Sequence, residues 1–366
     1  MRIINFVLGK ANPFRANGVN QVVHNLATRI SEKNTNVEVW GLTKDVTAET
    51  PPRQYILKLF KIDKYFLRIE KDLKNEILKL SEKDWVHFHG ALIPVFSRIS
   101  SLLVKKNIRY TITAHGNLQP LKLKSFKKQI VLRTFESILY KNASKVHVFS
   151  QYESEYLSSF FKFLNPKDFC IIPNGVPGIQ GPIKDIQHNP SIVFCGRLNY
   201  LEKGVDLLVQ SFINYINSGG SLNLVLIGDG NVKKECEEIV SKSNLNHRIK
   251  FLGALYDEEK NSALSKAKFY IQPSKSEGMA ISVIEAAAFG IPLIATEQTG
   301  CADYIRMYNA GFIIKPEISS IYNTLQHIDH LKDEEINKLS MNALTMIKND
   351  LNWDKISDNY LKKLYD

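Results

Sequence analysis

Cysteine is scarce in this chain. The four present, Cys170, Cys195, Cys236 and Cys301, share no short spacing. That excludes a disulfide-stapled scaffold and leaves zinc-ribbon and Cys-x-x-Cys redox readings without residues to stand on, so a reducing compartment is expected. Long apolar runs are also missing. None approaches the roughly 18 residues that a membrane-spanning helix needs, and Ile3 to Leu8 is too short for a signal-peptide core. The expectation is a chain neither secreted nor transmembrane. There is no low-complexity tract and no repeat of 20 to 50 residues, which excludes solenoids and arrays.

What is present is a core-forming composition. With 366 residues and 44% hydrophobic content the chain can bury about two domains. Its formal charge of +11 is unevenly placed. Residues 1–180 hold 28 Lys+Arg against 14 Asp+Glu, whereas the remainder holds 20 against 23. All the positive excess therefore lies in the first half, and charge of this kind speaks to partners rather than to fold.

Short β-branched and aromatic runs alternate with helix-period segments along the chain. In the first half the runs are Ile3 to Leu8, Val37 to Leu42, Trp85 to His89, Tyr110 to Ala114, Val146 to Ser150 and Phe169 to Ile172. Candidate helices lie between them near 19–32, 56–80, 91–106, 123–141 and 151–162. This is βαβ repetition, which predicts a parallel sheet covered on both faces. Pro173-Asn174-Gly175, followed by Pro177, Gly178, Gly181, Pro182 and Pro190, reads as a linker. The alternation then restarts with Ile192 to Cys195, Leu222 to Ile227, Ile249 to Leu252, Phe269 to Gln272, Pro292 to Ala295 and Phe312 to Ile314, and the tail from 317 onward is helical. Two doubly wound halves place a ligand at the carboxyl ends of their strands.

Two segments carry the chemistry. After the strand ending at Gln272 comes a polar loop with Glu277-Gly278-Met279-Ala280, then a small-residue helix from about Ile281 that contains Glu285. A helix start offers unpaired N–H groups, and eight positions span about 12 Å at helical rise, enough for two carboxylates to grip hydroxyls at opposite ends of an extended ligand. The alternative is that Glu277 only caps the helix and Glu285 sits in a surface salt bridge; the apolar stretch around Glu285 weighs against it, since a carboxylate there should be buried and must have partners. The second segment, Gly196-Arg197-Leu198-Asn199 through Lys203-Gly204, follows the first strand of the second half. Arg197 and Lys203 there are either two solvated surface cations or the pair of fixed cations that a departing diphosphate needs.

These motifs, with Asn17-Gly18, His89-Gly90, Thr113-Ala114-His115-Gly116, Pro173-Asn174-Gly175-Val176, Gly228-Asp229-Gly230, Phe251-Leu252-Gly253 and Gly290-Ile291-Pro292, occur in an order that resembles the glycosyl group 1 family of retaining GT-B glycosyltransferases (glycosyltransferase family 4) across essentially the whole chain. The resemblance implies two Rossmann-like parallel-sheet domains facing each other across a cleft. The expected boundaries are 1–180 for an acceptor-binding domain, 181–350 for a nucleotide-sugar domain, and 351–366 for a helix that crosses back to the first. It also implies roles. Arg197 and Lys203 hold the diphosphate, Glu285 the ribose hydroxyls, and Glu277 the donor sugar, with Gly278, Met279 and Ala280 offering N–H groups. Gly18 allows close approach of the first loop, His115 lies by the donor sugar, and Lys250, Phe251 and Leu252 lie beside the nucleobase. The donor is a UDP- or GDP-linked sugar, with no further cofactor. Catalysis would rest on positioning and electrostatics, the leaving phosphate itself helping to deprotonate the acceptor. Two departures are Asn17 in place of a glycine before Gly18, and Thr299-Gly300-Cys301-Ala302-Asp303 in place of a Gly-Gly-x-x-Glu turn.

Other readings have less support. Gly228-Asp229-Gly230 lacks the third glycine of a dinucleotide fingerprint, Lys233 standing in its place. His87 and His89 share a strand face without a Cys or acidic cluster to complete a metal shell, and no Asp-x-Asp occurs, so no metal is expected. A GT-B sugar-nucleotide epimerase would need acid–base groups elsewhere. The basic half contains two sets, Lys122, Lys124, Lys127, Lys128 and Arg133 near Phe126 and Ile130, and Lys58, Lys61, Lys64, Arg68, Lys71 and Lys74. These are either the solvated outer faces of ordinary amphipathic helices or basic amphipathic helices that favour an anionic inner-membrane surface. The latter, taken with the family resemblance, implies a peripheral cytoplasmic protein acting on a lipid-linked glycan in capsule, O-antigen or exopolysaccharide assembly, the alternative being a non-catalytic membrane binder. Nucleic acid is not expected, since aromatics do not interleave with the cations.

Overall fold

A computed structural model describes residues 1–12, 18–47, 52–63, 66–180 and 190–366, the side chains of 200 and 201 apart. Asn17, Lys64, Gly181 and Pro182, singled out above, lie outside the described residues. The chain divides into two compact units, Met1–Asn174 with Trp353–Asp366, and Gly175–Asn352. Gly175–Gln180 are tied to the second unit: the Val176 N–H donates to the Leu351 carbonyl and the Gln180 N–H to that of Ala288.

The first unit contains β1 (Arg2–Leu8), β2 (Asn36–Thr43), β3 (Ile56–Lys61), β4 (Trp85–His89), β5 (Arg109–Thr113), β6 (Lys145–Val148) and β7 (Phe169–Ile171). All pair in parallel in the order β3-β2-β1-β4-β5-β6-β7. Nearly continuous apolar runs build such strands because both faces are covered. Register puts Phe6 between Trp40 and Phe88, with ring centroids 5.2 and 5.3 Å away. The order reverses between β1 and β4, so the loops leaving these two strands diverge and open a crevice at their carboxyl ends.

Two expectations in this unit need correction. Residues 56–80 do not form one helix, because Leu57 and Leu59 alternate with Lys58 at a period of two and make the edge strand β3; the helix is confined to Lys71–Leu78. Lys58 turns inward to Glu38 and Glu76 at 3.0 and 2.8 Å, so the second basic set is no single amphipathic stripe. The segment near 123–141 is likewise broken. It runs through a 3₁₀ turn (Pro120–Leu123), a helix (Phe126–Val131), a π-helical turn (Leu132–Glu136) and a second helix (Ser137–Lys141). The wide turn swings Glu136 into the core, where its carboxylate accepts the N–H of Leu92 at 2.7 Å. Leu92 has φ of 62°, a strained backbone held by that bond. Burial pushes the Glu136 carboxyl up to about 7.

Behind β4, β5 and β6 lies a row of hydrogen bonds whose direction one carbonyl fixes. Nε2 of His147 faces the Ile172 carbonyl at 2.8 Å, so it carries the proton. Nδ1 of His147 then accepts from Thr113 Oγ1, which accepts from Nε2 of His87, both at 2.7 Å. Nδ1 of His87 accepts from the Tyr365 hydroxyl. Burial first, and neighbouring histidines second, hold His87 well below the usual imidazole range.

The second unit contains β8 (Ser191–Cys195), β9 (Asn223–Ile227), β10 (Ile249–Gly253), β11 (Phe269–Gln272), β12 (Leu293–Thr296) and β13 (Gly311–Ile314), all parallel, in the order β10-β9-β8-β11-β12-β13. Here the reversal falls between β8 and β11. Gly228 serves this sheet rather than a dinucleotide. At φ of 138° any Cβ would stand 1.9 Å from the Gly196 carbonyl oxygen, so glycine is what lets the loop after β9 lie against the loop after β8.

Candidate active site

In the second unit the loops from β8 and β11 meet. After β8 the chain makes a short helical turn (Tyr200–Lys203) that ends at Gly204 with φ of 65°. A Cβ at Gly204 would lie 2.3 Å from the Pro273 carbonyl oxygen, so the turn sits directly on the end of β11 only because the residue is glycine. The N–H groups of Lys275 and Ser276 donate to the Glu202 carbonyl at 2.8 and 3.3 Å. This lock brings Lys203 and Glu277 into an ion pair, their side chains only 12% and 14% exposed. Ser274 donates its hydroxyl to the same Glu277 oxygen at 3.1 Å and accepts from Gln272 Nε2 at 2.8 Å, while Tyr270 donates to Gln272 Oε1 at 2.7 Å.

Tyr270, Gln272 and Ser274 thus form a buried polar row that holds the Glu277 carboxylate from beneath. Their spacing of two in an otherwise apolar strand was the available signal, and sequence reasoning missed it. Glu285, on the helix Ile281–Ala288, is not buried as expected, its side chain being 26% exposed at the helix surface, but it does have a partner. Lys260, from the helix Asp257–Ser265, donates to Glu285 Oε1 at 2.8 Å. Lys260 had no signal in sequence, since a lone lysine on a polar helix looks like any solvated cation.

The remaining expected residues divide. Arg197 is 71% exposed, 3.7 Å from Glu202, and projects from the loop instead of joining the buried pair. Ala280 offers no free N–H, contrary to expectation, because it donates to the Thr299 carbonyl at 2.9 Å. The turn at Thr299-Gly300-Cys301 therefore supports the Glu277 loop from behind. Met279 is also engaged. Gly278 N–H has no partner among the described residues. On β10, Phe251 packs against the core while Lys250 and Leu252 face the other way and are exposed, so the three residues do not share one surface.

In the first unit, His115 follows β5 with φ of 53°. Its Nε2 lies 3.0 Å from Nδ1 of His89, whose Nε2 is 2.9 Å from Asn5 Oδ1. The peptide of Gly116 is clamped on both sides, its N–H to buried Glu153 at 3.2 Å and its carbonyl from Lys122 Nζ at 3.1 Å. Burial, followed by the charge of His147, pushes the His115 imidazole down to about 3, so it is neutral at physiological pH and acts as a polar contact, not a cation. Gly18 opens the helix Gly18–Ser31 and is exposed. No group of His, Cys, Asp and Glu suited to a metal ion occurs among the described residues.

Known proteins match along both halves. Residues 16–177 match the model of glycosyltransferase family 4, and residues 182–345 that of glycosyl transferases group 1. The chain belongs to this glycosyltransferase family. Among relatives, it is 29% identical over 299 residues to an uncharacterized glycosyltransferase of Methanocaldococcus jannaschii, covering 79% of this chain and 77% of that one. It is 26% identical over 320 residues to the UDP-Gal:alpha-D-GlcNAc-diphosphoundecaprenol alpha-1,3-galactosyltransferase of Escherichia coli, covering 80% of each. The fold is similar to that of sucrose-phosphate synthase from Thermosynechococcus elongatus, with a TM-score of 0.80, 19% identity and coverage of 100% and 98%. This glycosyltransferase accordingly has the GT-B fold, two Rossmann-like parallel-sheet domains.

Proposed function

We propose that this glycosyltransferase moves a sugar, with retention and without a metal ion, from a UDP- or GDP-linked donor to a lipid-linked glycan in bacterial polysaccharide assembly. The observation that carries the reading is the Lys203–Glu277 pair at the carboxyl ends of β8 and β11, with Glu285 eight positions further on. In this reading Lys203 and Arg197 take the diphosphate, Glu277 the sugar hydroxyls beside Gly278 and Met279, and Glu285 the ribose. On β10, Lys250 and Leu252, which face the same way, lie near the base, while Phe251 packs against the core on the other face. The bond from the anomeric carbon to phosphate breaks as that to the acceptor oxygen forms on the same face. The acceptor proton passes to the leaving phosphate, and the two cations stabilise the charge that grows there. The basic first unit, whose loops carry Gly18 and neutral His115, receives the acceptor.

The lipid-linked acceptor draws on the printed name of the Escherichia coli relative and on the outward stripe Phe126, Ile130 and Ile138, exposed by 79%, 47% and 46% beside Lys124 and Lys127. Such a stripe suits peripheral attachment to an anionic membrane on its cytoplasmic face. The described helices include none long and apolar enough to cross a membrane. Thermal-shift screening with UDP- and GDP-sugars, followed by transfer in EDTA and NMR of the product, tests the proposal. Stabilisation by one donor class, transfer in EDTA and a retained anomeric configuration are expected. Loss of transfer in EDTA, or an inverted product, would overturn the corresponding part.

A further inference from the structure

Lys260 pairs with Glu285 where neither side chain is simply a surface charge. They are 22% and 26% exposed, 2.8 Å apart, and come from separate elements, the helix after β10 and the helix after β11. A pair about a quarter exposed still gives up part of its hydration and returns little stability for it. Burial alone would lower the Lys260 pKa, yet the charge and hydrogen bond of Glu285 leave it raised, so the lysine remains a cation. Only Oε1 of Glu285 is engaged; Oε2 has no partner among the described residues. A carboxylate with one oxygen clamped and the other open is oriented to accept hydroxyl hydrogens, and its neighbouring charge is already balanced against an incoming diphosphate.

We infer that Lys260 is a positioning residue that fixes Glu285 for the ribose hydroxyls and so makes nucleotide binding depend on those hydroxyls. The inference rests on the assignment of Glu285 to the ribose given above. A lysine acting through Glu285 matters only when hydroxyls are there to be gripped; one that merely stabilises the fold, or that touches phosphate or base, affects every nucleotide alike.

The test is calorimetric titration of the full chain with UDP and GDP and with their 2′,3′-dideoxy counterparts, for wild type, Lys260→Met, Lys260→Arg, Glu285→Gln and the Met/Gln double variant. Lys260→Met should weaken binding of the ribonucleotide about tenfold and leave the dideoxy analogue unchanged. Glu285→Gln should do the same, the double variant should lose no more than Glu285→Gln alone, and Lys260→Arg should recover most of the affinity. Equal weakening of both ligands by Lys260→Met, or weakening of neither, overturns the role of Lys260 while leaving that of Glu285 standing if Glu285→Gln still weakens the ribonucleotide alone. Equal weakening of both ligands by Glu285→Gln as well, or of neither, or failure of wild type to bind either ribonucleotide, removes the ribose assignment itself and the inference with it. Melting curves of each variant separate these outcomes from unfolding.

Discussion

Tyr365 donates its hydroxyl hydrogen to Nδ1 of His87 at 2.6 Å, joining the last turn of the chain to a strand 278 residues earlier. Both groups are buried, and the direction of the bond follows from the Ile172 carbonyl at the far end of the row. Tyr365→Phe leaves a buried imidazole nitrogen without its donor, which should cost about 1–3 kcal/mol. Denaturant unfolding reads this directly, and an unchanged midpoint would show that the row contributes no stability.

The same row makes stability pH-dependent. Burial above all holds His147 down to about 4, against the pull of the Ile172 carbonyl, so the folded chain keeps it neutral where the unfolded chain takes up a proton near 6.5. Its contribution is complete above about pH 6.5 and is lost as pH falls from there toward 4. Glu136 works in the opposite sense. With its folded value raised to about 7, it contributes stability below the ordinary carboxyl range that fades as pH rises to about 7. Glu136→Gln keeps an acceptor for Leu92 and should stabilise the protein more at pH 8 than at pH 5. Thermal melts across this range check both slopes, and parallel curves for wild type and Glu136→Gln would refute the second.

Lys203 and Glu277 share one buried contact, so removing either leaves the other uncompensated. Glu277→Gln and Lys203→Ala should each lower turnover about 10²–10³-fold, and the double variant should fall well short of the product of the two. Rates from donor-saturated transfer assays decide it. Near wild-type turnover in both single variants would dissolve the site assignment.

Gly204→Ala places a methyl group against the Pro273 carbonyl at a left-handed backbone position. We expect a loss of about 2–4 kcal/mol, together with displacement of Lys203 and a fall in activity. A stable, fully active Gly204→Ala enzyme would mean that the turn after β8 can shift without consequence.

Vesicle flotation addresses the first unit. Phe126→Ser with Ile130→Ser should weaken binding to anionic vesicles at least tenfold without changing the melting temperature, and Lys124→Ala with Lys127→Ala should weaken it most at low salt. Lys122 and Lys128 are less suitable targets, because Lys122 holds the Gly116 carbonyl and Lys128 donates to the Lys122 carbonyl. Equal flotation of all variants would remove the membrane from the proposal.

The order of strands and the loops bearing Arg197, Lys203, Glu277 and Glu285 were legible because parallel strands buried on both faces are written as short apolar runs with polar loops at their ends. The edge strand β3 was misread, since an edge strand is covered less completely and its two lysines, Lys58 and Lys61, three positions apart, also fit one face of a helix. Lys260 and the Tyr270-Gln272-Ser274 row were invisible for a different reason. Their roles depend on contacts between elements, Lys260 with Glu285 25 positions away, and no local pattern encodes such a partner. The consumed N–H of Ala280 was hidden in the same way, its acceptor Thr299 lying beyond the next strand.

Arg197 reaching into solvent while Lys203 is tied down separates encounter from residence. On the proposed assignment, a diphosphate diffusing toward this loop meets the exposed guanidinium, which is only loosely paired with Glu202, before the lysine, which Glu277 must give up to take the sugar. Arg197 would then set how fast a nucleotide arrives and how strongly salt slows that arrival, and Lys203 how long it stays.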